Sequence, residues 1–119
     1  MKDFRDLDVV RKAHQLTIDI YRATAVFPKT EMFGLTSQMR RSASSITATI
    51  AEGCGRKTDA DFARFLQNAF GSASELEYFL LLASDLGYLK KSEHDRLSEN
   101  AIEIKKMLAA LLRKLNADR

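Results

Sequence analysis

Apolar residues recur at helical spacing along almost the whole chain. Val9, Ala13, Leu16, Ile20, Ala23 and Phe27 step by 4, 3, 4, 3, 4, the stripe of a helix that buries one face. Phe62, Leu66, Ala69, Ala73, Leu76, Leu80 and Ala83 step in the same way, and so do Leu97, Ala101, Ile104, Leu108, Leu111 and Leu115. Between the first and second of these stripes runs the stretch around which the chain is organised, Gln38–Arg56. Met39, Ser42/Ala43, Ile46 and Ile50 keep the period there, and small residues fill most other positions, so neighbouring helices can approach closely. No alternating pattern competes, so no strand is predicted. Four helices with short connections predict an all-α, antiparallel up-down-up-down four-helix bundle.

The punctuation places the ends. Pro28 closes the first helix, because proline disfavours helical geometry in the residue before it. The second is predicted from about Met32 to Gly53. Gly53 and Gly55 bracket its end, where a left-handed residue without a Cβ is favoured. Gly87 stops the third. Asp6 or Asp8 is placed to cap the first helix and Thr30 the second, while Thr58–Asp61 and Ser92–Asp95 read as capping boxes. Gly71 costs about 1 kcal/mol against Ala in mid-helix. It lies in the small-residue run Ala69–Ser74, which predicts a close helix crossing. Residues 1–7 form an otherwise extended arm anchored by Phe4 and Leu7. Residues 116–119 form a frayed polar tail, and residues 1–119 a single domain.

Composition narrows the class. With one proline and five glycines among 119 residues, breakers are few and long helices are favoured. The net charge of +3 is uneven: residues 1–58 hold ten Lys and Arg against six Asp and Glu, and residues 59–119 hold nine against ten. The basic half is compatible with an anionic partner. Cys54 is the single cysteine, so no internal disulfide forms and a reducing compartment fits. The N-terminus lacks a signal-peptide apolar run, and no stretch approaches the roughly 18 apolar residues of a membrane span. The expectation is a soluble, cytoplasmic protein with no membrane partner.

The candidate chemistry is cationic. Arg40, Arg41, Arg56, Lys57 and Arg64 border the hairpin of the second and third helices and are the candidate anion-binding or nucleic-acid-binding residues. No base-reading motif or aromatic platform is visible, so phosphate contact would dominate. The bland alternative is that these cations pair with Glu52 or Glu75 across helices or subunits. Neither His14 nor His94 follows a glutamate at di-iron spacing, so no metal site is expected. Cys54 has no base indicated beside it, and Gly53–Thr58 lacks P-loop spacing. No cofactor is expected. The run Tyr78-Phe79-Leu80-Leu81-Leu82 covers a whole helical circumference, so this turn has no polar face for solvent. Phe65, Tyr78, Phe79 and Leu82 are therefore the candidate subunit interface, unless the N-terminal arm folds over them.

Taken in order, these residues resemble a known family: Phe4-x-x-Leu7-x-Val9, Ile20-Tyr21-x-x-Thr24-x-x-Phe27-Pro28, Gly34-Leu35-x-x-Gln38-Met39-Arg40-Arg41-Ser42-Ala43-x-Ser45-Ile46, Ile50-Ala51-Glu52-Gly53-x-Gly55-Arg56, Phe62-x-x-Phe65-Leu66, Gly71-Ser72-x-x-Glu75-Leu76 and Leu86-Gly87-Tyr88. The chain resembles the small four-helix-bundle proteins encoded by intervening sequences in bacterial 23S rRNA genes. More distantly, it resembles the accessory proteins of diversity-generating retroelements, basic pentameric barrels that bind nucleic acid. The resemblance implies a homopentamer and no established molecular function. Val10 stands where the family usually has Trp, and Thr47 and Thr49 stand where Pro and Asn are expected, so less of a kink is predicted there. The reading is a non-enzymatic, oligomeric, nucleic-acid-associated module. A scaffold that binds another protein is the alternative.

Overall fold

The stripes become four helices because each buries one face against two neighbours. In the computed structural model, which describes residues 3–117, they are α1 (Asp8–Thr24), α2 (Leu35–Cys54), α3 (Asp59–Asp85) and α4 (Lys91–Ala117). Short 3-10 turns at Phe4–Asp6 and Lys29–Glu31 precede α1 and α2. The helices pack in the cyclic order α1–α2–α3–α4, with α4 returning to α1.

Side-chain contacts fix the directions. Thr17 reaches the Ala43 carbonyl at 3.2 Å while Thr24 meets Arg40 at 2.9 Å, so α1 and α2 run antiparallel. Ser45 meets Ser72 at 3.1 Å and Ser42 meets Glu75 at 2.6 Å, which sets α2 against α3 in the same sense. At the α1–α4 seam Asp19 pairs with Arg96 at 3.5 Å, while Val9 lies beside Met107 and Leu111. The fold is therefore all-α, an antiparallel four-helix bundle.

The core follows the predicted stripes, except that Leu111 is only half-buried. Leu16, Ile20, Met39, Ile46, Ile50, Leu66, Leu76, Leu80, Leu97, Ile104 and Leu108 are its largest fully buried side chains. Val10 is buried as well, a smaller anchor than the expected Trp.

The ends differ from expectation in instructive ways. Neither Asp6 nor Asp8 caps α1. Leu7 takes that place without a side-chain bond, and Asp8 lies inside the first turn and pairs with Arg11. Thr30 does not cap α2, because the Lys29–Glu31 turn lengthens the connection and the helix starts only at Leu35. Glu31 instead accepts from the Leu35 N–H at 3.3 Å. Thr58 does cap α3, accepting from the Asp61 N–H at 3.1 Å. Ser92 lies within the first turn of α4 and not ahead of it. At the other end α4 continues through Asn116 to Ala117, beyond the expected start of the frayed tail; the tail's last two residues and the arm's first two lie outside the described residues.

The glycines also separate by cause. Gly87, at φ +80°, is the left-handed stop of α3, and the Tyr88 N–H closes the turn onto the Ala83 carbonyl at 2.9 Å. Gly53 is not left-handed: it is helical and buried, and a Cβ there would lie 2.7 Å from Cβ of Phe65. Gly55 is right-handed too. Gly71 marks no close crossing within the chain, since it is exposed and a Cβ on it would meet nothing within 4 Å.

Candidate functional site

The five cations do not form one patch. Arg40 and Arg41 sit in the second turn of α2. Arg56 and Lys57 lie in the α2–α3 turn and Arg64 in the second turn of α3. Fourteen residues of α2 run from Arg40 to the helix end at Cys54, about 21 Å along the axis, and Arg56 lies just beyond.

At the turn, two guanidiniums cover one ring. The Arg56 and Arg64 guanidinium carbons lie 4.7 and 5.0 Å from the Phe65 centroid. Each also has a carboxylate: Arg56 meets Glu52 at 3.2 Å and Arg64 meets Asp61 at 3.8 Å. Asp59 completes a set of three acids against three bases, so this end carries little net charge. The small cavity beside it, about 50 Å³, is lined by Gly53, Cys54, Arg56, Lys57, Thr58, Asp59 and Phe62. Lys57 is exposed and makes no ion pair with the described residues.

The other end differs in sign. Arg40 donates through Nε to the Thr24 hydroxyl at 2.9 Å and through a terminal nitrogen to the Tyr21 carbonyl at 3.4 Å. Its guanidinium lies 4.7 Å from the Tyr21 ring centroid. These contacts orient it without neutralising it. Arg41 is exposed and has no carboxylate within ion-pair distance among the described residues. A groove of about 420 Å³ runs on the α1 side, lined by Tyr21, Met32, Phe33, Thr36, Ser37, Arg40, Arg41 and Ser44. A second, of about 360 Å³, runs on the α3 side between Phe33, Ser37, Gln38, Arg41, Glu75 and Phe79. Phe33, Ser37 and Arg41 form the wall common to both.

Neither glutamate makes the expected pairing with an arginine across helices of the chain. Glu52 pairs with Arg56 at the end of its own helix, not across helices. Glu75 accepts from Ser42 at 2.6 Å and takes no arginine. The candidate interface splits as well. Phe65 is only 7% exposed, covered within its own chain by Arg56, Arg64 and Gly53, so it contributes no free apolar surface. Phe79 and Leu82 are half-buried and pack on the core, while Tyr78 and Leu81 are 57% and 49% exposed. The arm's Phe4–Asp6 turn does not cover them, since it packs on α1 and α2.

One residue was missed outright. Phe33, given no role from the sequence, is 97% exposed, with Met32 beside it. The available signal was an aromatic ring outside every helical stripe, immediately before Gly34.

Two titration shifts lie away from both cation groups. Tyr88 donates to Glu31 at 3.0 Å, which holds its phenol above the usual value. Asp95, beside His94 and Lys91, is held below the usual carboxylate value by its bonds to them. No cluster of three or more His, Cys, Asp or Glu among the described residues is arranged to hold a metal ion. No helix among the described residues is long and apolar enough to cross a membrane.

Four antiparallel helices around a solid core, with their cations at the surface, define a small helical-bundle protein. The chain belongs to the 23S rRNA-intervening sequence protein family, whose model matches residues 5–110. It is also similar to a crystal structure of a protein with unknown function from the S23 ribosomal protein family of Bacteroides thetaiotaomicron. The two are 27% identical with a TM-score of 0.79, and the match covers 87% of this chain and 97% of that one. No curated protein matches the chain.

Proposed function

We propose that the chain is a non-enzymatic assembly module whose copies associate through the outer face of α3 and whose surface cations contact nucleic-acid phosphates. One observation carries this reading. Tyr78 and Leu81 remain about half exposed when the rest of the chain is folded and the Phe4–Asp6 turn is packed on α1 and α2. Large apolar side chains grouped on one helix turn commonly mark an interface. The count of five rests on the family resemblance. Light scattering at micromolar concentration tests assembly: a multiple of the 13.4 kDa chain mass supports it, and a mass near 13.4 kDa ends it.

The phosphate contact rests on Arg41 and Lys57, the two candidate cations without any bonded partner among the described residues. Affinity for RNA or DNA should fall steeply with salt if several phosphates are engaged. Arg56→Glu is a poor probe, because it also uncovers Phe65. Arg41→Glu with Lys57→Glu reverses charge without touching a packed ring, and should abolish binding while helicity is retained. Binding unchanged at low salt would remove the phosphate reading and leave a scaffold for another protein.

A further inference from the structure

The groove between α1 and α2 has a composition that the phosphate reading alone does not require. Two guanidiniums, two aromatic rings and three hydroxyl side chains line it, with no carboxylate among them. Phe33 presents nearly its whole ring to solvent beside Arg41. Arg40 is held against Tyr21 by two hydrogen bonds, so one side of the groove is prearranged.

We propose that this groove binds one or two nucleotides of single-stranded RNA, with a base stacked on Phe33 and the adjoining phosphate held by Arg41. The proposal rests on the phosphate-binding reading above and assigns it a place and a recognition mode. Charge complementarity selects the ligand class: cations without acids favour an anion. The uncovered ring selects within that class, because a flat π-face is matched by an unstacked base, which a duplex does not offer. Ser37 supplies a hydroxyl of the kind that meets a ribose 2′-OH. Phe33 precedes Gly34 in the turn before α2, so the ring can stack without disturbing the core.

The test uses the full chain and a fluorescent oligouridylate of about ten residues, titrated by anisotropy at several salt concentrations. Phe33→Ala should weaken binding roughly five- to hundred-fold, the loss expected for one stacked base, with the salt dependence unchanged. Arg41→Gln should lower the slope of log affinity against log salt by about 0.7. The same strand in duplex form should bind more weakly than the single strand.

Wild-type affinity in Phe33→Ala, or duplex binding equal to single-strand binding, overturns the groove assignment while leaving the phosphate reading standing. Equal affinity for the deoxy strand overturns the ribose contact, and equal displacement by polyglutamate overturns stacking in favour of an acidic protein segment. A drop in assembly mass on Phe33→Ala assigns the ring to a second copy and overturns the proposal. If no oligonucleotide binds the wild type even at low salt, both readings fall.

Discussion

Gly53 and Gly71 are chemically the same residue in the same kind of helix, yet the structure assigns them opposite substitution effects. A Cβ on Gly53 would lie 2.7 Å from Cβ of Phe65, and neither backbone can retreat without opening the α2–α3 seam. Gly53→Ala should lower stability by about 1–3 kcal/mol, the usual cost of overpacking a tight contact. Gly71→Ala adds a methyl group to open space and removes glycine's backbone entropy, so it should raise stability by about 0.5–1 kcal/mol. Urea unfolding of both variants decides the pair, and equal signs would contradict the close approach at Gly53. Tyr88 supports a pH prediction. Its phenol pKa is raised above 10.0 because the neutral hydroxyl donates to Glu31. The folded state therefore prefers the protonated form, and the stabilisation is fully present below the unfolded pKa and lost as pH rises through the folded one. Tyr88→Phe should melt below wild type at neutral pH. The gap should close above about pH 10, where the ionised phenol faces the Glu31 carboxylate. A gap that is constant into the alkaline range would remove that role.

Each helix is positioned by a stripe that could be read before any coordinates, and Leu80 is the sharpest instance. It sits in a run of five apolar residues, yet it alone of the five is fully buried, because it alone continues the Leu76 and Ala83 stripe. Leu80→Ala should cost about 2–5 kcal/mol. An unchanged unfolding midpoint would remove it from the core. The period of 3.6 made this legible, because it needs only local sequence. Caps were less legible. A one-turn lengthening before α2 moved the start past Thr30, and a shift of two residues put Ser92 inside α4. The candidate site was legible only as residue types. That Phe65 is covered by Arg56 and Arg64, that Glu75 prefers Ser42 to an arginine, and that Phe33 is almost wholly exposed all depend on how α2 meets α3 and on the turn before α2. No local pattern encodes those meetings.

At the scale of the whole molecule, the chain has more surface than its length calls for. Its radius of gyration is 14.8 Å and its extents are 47 × 22 × 19 Å. A rounded domain of this length would have a radius of about 13.5 Å. Its accessible surface is 7023 Å², against about 6,500 Å² expected for a monomer of this mass. A rod-shaped bundle leaves the outer side of every helix unpartnered, and on α3 that side carries Tyr78 and Leu81. If copies associate there, folding and assembly are linked, so the unfolding midpoint should rise with protein concentration. Tyr78→Glu with Leu81→Glu places two carboxylates on that turn while leaving Leu76, Leu80 and Ala83 untouched. The double variant should keep its helicity, scatter at a mass near 13.4 kDa, and unfold at a midpoint independent of concentration. Retention of the wild-type mass in the double variant would move the interface away from this face of α3. A wild-type midpoint that ignores concentration over a hundred-fold range, together with a monomer mass, would show that the exposed turn is tolerated by a single chain.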